Sequence, residues 1–365
     1  GLTTMLLLWQ TGKVYWFNAG VIVYVINMLL FGTVVGKIRS EIGKTEHIGA
    51  ALLAYSEMLK LLENRKWTST RLQEIHTKIH SKNQAASSLL KEASRIYDNM
   101  DTINNGMAVF LLNGTIQFHV HIFRQLVRWK KQHRESINQW IEQIGEVESI
   151  LSFSNFSVNN PEYSFPELTD TNISFEALGH PLIAKDKRIC NSISFENERF
   201  VILTGSNMSG KSTFLRTLGI GIILSNAGSV VPAKSALFYP IPLLVSMRLS
   251  DSLEESTSYF FSEVKRLKLI IDHLNQGPAF VLLDEILRGT NSDDKQNGTI
   301  GMVEQMVRLN AIGMIATHDL EVCETTKAHP AYLSNQCFEV EIRDNELFFD
   351  YTLRKGICQN KSATF

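Results

Sequence analysis

The stretch Gly205-Ser206-Asn207-Met208-Ser209-Gly210-Lys211-Ser212 constrains this chain more than any other, because it lies between an apolar run at residues 200–204 and a segment of helical spacing that starts at Lys211. It fits the pattern G-x-x-x-x-G-K-[ST], in the strand–turn–helix setting which that pattern requires. The glycines let the backbone curl until its N–H groups converge, and the helix N-terminus adds positive potential at the same point. That arrangement suits a chain of phosphates. The stretch therefore predicts a P-loop nucleotide-binding domain of α/β class, in which residues 205–213, including Gly205, Ser206, Met208, Ser209, Gly210 and Thr213, wrap ATP. Lys211 would reach the β- and γ-phosphates, and Ser212 would ligate Mg²⁺.

A second element sits further along the chain, where residues 279–283, Ala-Phe-Val-Leu-Leu, read as a fully buried strand that ends in Asp284-Glu285. A strand that simply ends in acidic residues is the plain reading. Beside a phosphate-binding loop the pair takes on chemistry: Asp284 helps to hold Mg²⁺, and Glu285 orients or deprotonates the attacking water. Another buried strand at residues 313–317 delivers His318 to the same end of a mostly parallel sheet, the end at which open α/β sheets bind ligands. There it is placed to sense the γ-phosphate.

These strings together resemble the MutS family of DNA mismatch-repair ATPases. Thr204-Gly-Ser-Asn-Met-Ser-Gly-Lys-Ser-Thr213 is similar to the P-loop of that family, with Asn-Met before the second glycine, and residues 284–292, Asp-Glu-Ile-Leu-Arg-Gly-Thr-Asn-Ser, resemble its Walker B and following loop. Ala316-Thr317-His318-Asp319 resembles its switch histidine, and Gly179-His180-Pro181-Leu182 its segment upstream of the nucleotide. The resemblance covers roughly residues 150–365 and implies an ABC-type ATPase domain that works as a head-to-tail dimer, with an identical chain or a paralogous partner. It further implies that Ser258, in Ser258-Tyr259-Phe260 followed by Glu263, reaches the partner's ATP in trans; by composition alone Ser258 is a helix N-cap. It places Asn207 beside the γ-phosphate and His180 near the base or ribose. The mismatch-reading domain of that family, whose Phe-x-Glu wedge enters the duplex, has no counterpart in this sequence, and Phe195-Glu196, just before the P-loop strand, cannot serve as the wedge.

The chain ahead of this domain differs in texture. Residues 14–36 hold no charge and are bounded by Lys13 and Lys37. Their length suffices to span a bilayer, with Lys37 and Arg39 favouring a cytoplasmic C-terminal side; a helix buried in a core fits equally well by composition. Residues 37–158 read as an all-helical core and lever region. Leu72, Ile75 and Ile79 mark one helix face, opened by a Thr70–Gln73 capping box, and Leu89, Leu90, Ala93, Ile96 and Met100 mark the next. A Ser/Asn/Pro-rich stretch at residues 154–166 sets the domain boundary, so the expected domains are 1–36, 37–158 and 159–365.

Charge narrows the partners. The net charge of −1 excludes a protein that coats nucleic acid over its whole surface. Residues 37–158 nevertheless carry 16 Lys+Arg against 12 Asp+Glu, and Arg124, Arg128, Lys130, Lys131 and Arg134 cluster there, either as a DNA contact or as a solvated helix face. The four cysteines, Cys190, Cys323, Cys337 and Cys358, form no C-x-x-C pair, which fits a reducing, cytoplasmic setting. The chain starts without Met and stops at Ala363-Thr364-Phe365, so it is expected to be a fragment. The function expected from all this is DNA-modulated ATP hydrolysis related to repair or recombination. Two alternatives stand beside it: a transporter-type nucleotide-binding domain on a membrane segment, and a scaffold that uses ATP as a switch.

Overall fold

The structure, a computed structural model, describes residues 3–6, 14–43, 48–80, 85–206, 208–247, 259–343 and 346–358. The site candidates Asn207 and Ser258 lie outside the described residues. The chain forms two compact units, Gly1–Ser152 and Phe153–Phe365.

The first unit is helical: α1 (Val14–Gly43), α2 (Ile48–Glu63), α3 (Thr70–Ile79), α4 (Ala86–Asp101), a 3₁₀ turn at Thr102–Asn104, α5 (Gly106–Ile116) and α6 (Phe118–Asn159). The division between units falls inside α6. α4 is its centre, because Leu89, Leu90, Ala93, Ile96 and Met100 recur at helical spacing and all are buried. They pack with Leu59 of α2, Ile75 and Ile79 of α3, and Trp129, Trp140 and Ile144 of α6. Two buried hydroxyls tie α2 to α4: Ser56 donates to the Ser87 carbonyl at 2.7 Å and Ser94 to the Gly49 carbonyl at 2.8 Å.

Two local expectations are corrected here. The Thr70–Gln73 capping box does not form: Ser69 is the N-cap, without a side-chain bond, so Thr70 is already in the first turn. The Gln73 amide donates instead to the Trp67 carbonyl at 2.9 Å. Lys130 leaves the basic cluster, for it is half-buried, ion-paired with Glu41 and 5.8 Å from the Tyr97 ring centroid. Arg124, Arg128, Lys131 and Arg134 stay exposed.

The second unit contains β1 (Glu167–Leu168), β2 (Ser174–Leu178), β3 (Asn191–Ser194), β4 (Phe200–Gly205), α7 (Lys211–Asn226), β5 (Ser235–Phe238) and β6 (Leu243–Ser246). It continues with α8 (Tyr259–Leu274), β7 (Phe280–Asp284), α9 (Ser292–Arg308), β8 (Ile312–Ala316), α10 (Thr325–Ala328), β9 (Leu333–Arg343) and β10 (Glu346–Lys355). Six strands form one sheet in the order β10-β9-β4-β8-β7-β6, parallel except for the β9–β10 hairpin. Alternation along β4 decides the layers. Val201 and Leu203 face Phe214, Leu215, Leu218 and Ile222 of α7, while Phe200 and Ile202 face a core shared with α8 and α9. A smaller sheet, β1-β5-β2-β3, lies on the far side of α7, where Phe175 and Leu178 approach Gly221.

Register places the chemistry. Leu203 of β4 lies opposite Ala316 of β8, and Ala316 lies opposite Asp284 of β7. The loops after these three neighbouring parallel strands therefore leave the sheet at one edge and one level, so the P-loop, Glu285 and His318 emerge together.

Candidate nucleotide site

Lys211 is the hub of that edge. It is buried, and its ammonium donates to the carbonyl oxygens of Gly205 at 2.7 Å and Ser206 at 2.9 Å, which holds the loop closed on itself. Burial pushes its pKa below the usual lysine range, and the carboxylates of Glu285 and Asp284 pull the other way. The loop needs Gly210 in particular. Its φ of 101° is a left-handed value, and a Cβ there would come within 3.0 Å of the Tyr351 ring. Met208 follows the same backbone demand at φ 67° and projects its side chain outward, 83% exposed. Ser212 is half-buried and Thr213 exposed at the first turn of α7.

Asp284 ends β7 with both carboxylate oxygens buried and without a hydrogen-bond partner among the described residues. The hydroxyls of Ser206 and Ser209 are buried in the same condition. A buried, unbonded carboxylate costs several kcal/mol in general unless it is paired or binds a cation, so this one fits a hydrated Mg²⁺ shared with Ser212 and phosphate oxygens. No cluster of three or more His, Cys, Asp or Glu side chains able to hold a metal occurs among the described residues.

Glu285 adopts φ 46°, uncommon for a non-glycine residue, and its N–H donates to the Ala316 carbonyl at 2.9 Å. The turn carries its carboxylate past the strand end to Lys211, Arg288 and His318. Oε1 lies 3.9 Å from Lys211 Nζ and 3.8 Å from His318 Nδ1, and Oε2 lies 2.5 Å from Arg288 Nη2. The Arg288 contact is close in charge but not aligned as a hydrogen bond. Arg288 is fixed by its Nε, which donates to the Glu285 carbonyl at 3.0 Å, and by its own N–H, which donates to the buried Glu263 carboxylate at 3.3 Å. His318 is half-exposed, with Nε2 at 3.4 Å from Lys295 Nζ. The structure thus brings Lys211, Asp284, Glu285 and His318 to one place from three separate sequence segments.

A cleft of about 840 Å³ opens beside the P-loop, lined among others by His180, Lys187, Asn191, Arg216 and Tyr351. His180 Nδ1 accepts from the Leu182 N–H at 3.2 Å, and burial, with Arg216 and Arg188 nearby, holds its pKa below the usual histidine range. The neutral ring therefore carries its proton on Nε2. Tyr351, on the β9–β10 hairpin, was missed by sequence reasoning. It has φ 53°, its ring stacks on Phe349 at 6.1 Å, and its carbonyl accepts from Asn191 Nδ2 at 3.0 Å. The signal available for it was the aromatic run Phe348-Phe349-Asp350-Tyr351. Arg288 is a further site residue that the run at residues 284–292 does not single out by spacing.

Residues 201–364 match the family described as MutS domain V. The chain is 31% identical over 243 residues to MutS protein homolog 4 from Homo sapiens, covering 63% of this chain and 25% of that protein. It is 27% identical over 242 residues to the DNA mismatch repair protein MutS of Thermotoga petrophila, covering 65% of this chain and 30% of that protein. Over 214 residues it is 32% identical to the DNA mismatch repair protein MSH4 of Arabidopsis thaliana, covering 57% and 27%. The chain spans about a quarter to a third of the length of these curated relatives.

Proposed function

This chain belongs to the MutS family through its domain V, and from that premise we propose that it binds and hydrolyses Mg²⁺-ATP and couples the cycle to DNA in repair or recombination. The observation that carries the reading is the meeting of a buried, unbonded Asp284 carboxylate, the P-loop Lys211 and Glu285 at the edge of one parallel sheet.

Lys211 exchanges its contacts with the Gly205 and Ser206 carbonyls for the β- and γ-phosphates, while backbone N–H groups of the P-loop and the α7 N-terminus take the remaining phosphate charge. Ser212 and Asp284 hold Mg²⁺, which when bound neutralises charge on the phosphates. Glu285 takes the proton of the attacking water as the bond between the γ-phosphorus and its bridging oxygen breaks, leaving ADP and phosphate. His318, 3.8 Å from Glu285, orients that carboxylate and responds to the γ-phosphate. His180 and Tyr351 border the space for the base and ribose. Ser258 completes the site of a partner, an identical or paralogous chain bound head to tail, and closure of the pair shifts the grip on DNA. The names carried by the relatives favour this reading over a transporter-type domain.

The DNA part is tested by steady-state ATPase rates of the full chain without DNA and with perfect, mismatched and branched duplexes over a salt series. The rate is expected to change with DNA at low salt, and the change to fade as salt displaces phosphate contacts. Rates indifferent to every DNA at the lowest salt would remove DNA coupling and leave the ATPase reading intact.

A further inference from the structure

At one end the first unit exposes a broad apolar surface, the reverse of what water selects. On α1, Ile22, Val23, Val25, Ile26, Leu29 and Leu30 are each between 48% and 68% exposed. Tyr24 and Asn27 of the same helix turn toward α5 instead, while Asn18 and Thr33 are exposed. The Tyr24 hydroxyl donates to the Phe110 carbonyl of α5 at 2.8 Å, the Asn27 amide donates to the Gly114 carbonyl at 3.0 Å, and Gln117 donates to the Asn27 side-chain oxygen at 2.8 Å. Gly114 is needed for this approach, since a Cβ there would lie 1.8 Å from the Tyr24 ring. α5 also faces outward with Met107 at 75%, Phe110 at 55% and Ile116 at 57% exposure.

The apolar run of α1 ends at a charged level, while α5 meets α1 below it, at Tyr24 and Asn27. Phe31 of α1 lies 6.1 Å from His119 of α6, and Glu41 pairs with Lys130 further along both helices, so α6 runs beside the second half of α1 in the same direction. Lys37, the first charge after the apolar run of α1, therefore stands at about the height of Arg124, the first Lys or Arg of α6. Above that height Arg39, Arg128, Lys131 and Arg134 are exposed; below it α1 and α5 carry no charge as far as Val14. α5 is bent by 84° from α6 at the left-handed residue Gln117, so it crosses α1 rather than running along it. No charge occurs between Asp101 and Arg124, and the chain enters and leaves α5 at one place, since Thr102 Oγ1 lies 3.0 Å from His119 Nε2, the pattern of a re-entrant element. Its backbone is satisfied from within, as acyl chains require: Asn105 accepts from the N–H groups of Met107 and Ala108 at 3.1 and 3.2 Å, and Asn113 bonds the buried His119.

We propose that this unit inserts in a lipid bilayer with anionic headgroups, α1 crossing the acyl region, α5 entering it from the Lys37 side, and the exposed arginines of α6 meeting the headgroups. The uncharged run of α1 measures about 34 Å at 1.5 Å per residue, against a hydrocarbon core of about 30 Å. Charge complementarity selects the lipid, because the basic residues begin where the apolar surface stops. The inference uses the first unit alone and does not depend on the nucleotide reading.

The test is flotation of the full chain with vesicles of phosphatidylcholine, with and without phosphatidylglycerol. The wild-type chain is expected to float, and better with phosphatidylglycerol. The double variant Ile26→Asp/Phe110→Asp, altered only at exposed positions, should lose flotation about tenfold or more. Arg124→Glu/Arg128→Glu should lower the preference for anionic vesicles by roughly fivefold per arginine while still floating. Circular dichroism and the thermal unfolding transition should be unchanged in every variant, which shows that the first unit has folded. The proposal fails if the wild-type chain stays in the dense fraction with both lipids, or if the aspartates leave flotation unchanged. It fails equally if the apolar face only joins two copies of the chain, seen as a dimer that the aspartates dissociate without any lipid binding. Arginine reversals that weaken duplex DNA binding and leave lipid preference intact would reassign the stripe to DNA.

Discussion

Glu285→Gln is expected to lower ATP turnover by about 10²–10⁴-fold, the usual contribution of a general base, while ATP affinity stays within a small factor. The amide keeps the size and reach of the side chain but cannot accept the water's proton. Its carboxylate in the native chain faces Lys211, Arg288 and His318 and is not itself needed to wrap phosphate. ATP should then persist in the site and hold the pair of ATPase domains closed, so sedimentation in ATP should show a dimer that outlasts that of the native chain. Single-turnover and equilibrium binding measurements separate the two effects. Loss of binding in proportion to loss of rate would contradict the role given to Glu285.

Lys211→Ala is expected to act at the earlier step. Removing one partner of a buried, charge-assisted set of hydrogen bonds costs about 2–5 kcal/mol, roughly 30-fold to several thousand-fold in ATP affinity. The loop loses a second support as well, because Lys211 ties the Gly205 and Ser206 carbonyls together. Turnover at saturating ATP measures only what remains, so the informative number is the dissociation constant. A variant with native affinity and reduced rate would exchange the roles assigned to Lys211 and Glu285.

What was legible in the sequence and what was not divide along physical lines. The P-loop was legible because its chemistry is backbone chemistry, written locally in Gly210, Lys211 and the strand before them. The strands that carry Asp284 and His318 were legible as short, fully apolar runs, which a parallel sheet covered on both faces demands. The face Leu89, Leu90, Ala93, Ile96 and Met100 followed from helical periodicity alone and is buried throughout. Contacts between distant segments were not legible. Tyr351 reaches the P-loop only because its hairpin adds to β4's side of the sheet and Asn191 holds its carbonyl from 160 residues away. Arg288 is anchored by Glu263 across a helix–loop contact that spacing does not reveal. Lys130 looked like its basic neighbours until Glu41 and Tyr97 were seen beside it. α5 was folded into the general helical reading of residues 37–158, since an eleven-residue apolar helix is too short to be singled out by length.

The central claim is that a glycine-bearing turn and a buried aspartate together hold a triphosphate and its metal. Calorimetric titration of the folded wild-type chain with ATP, once with Mg²⁺ and once with EDTA, tests it most directly. The account predicts saturable binding with Mg²⁺, weakened by about tenfold or more in EDTA, where the Asp284 carboxylate would face the phosphates without a cation between them. A folded chain with no affinity for ATP in the presence of Mg²⁺ would contradict it.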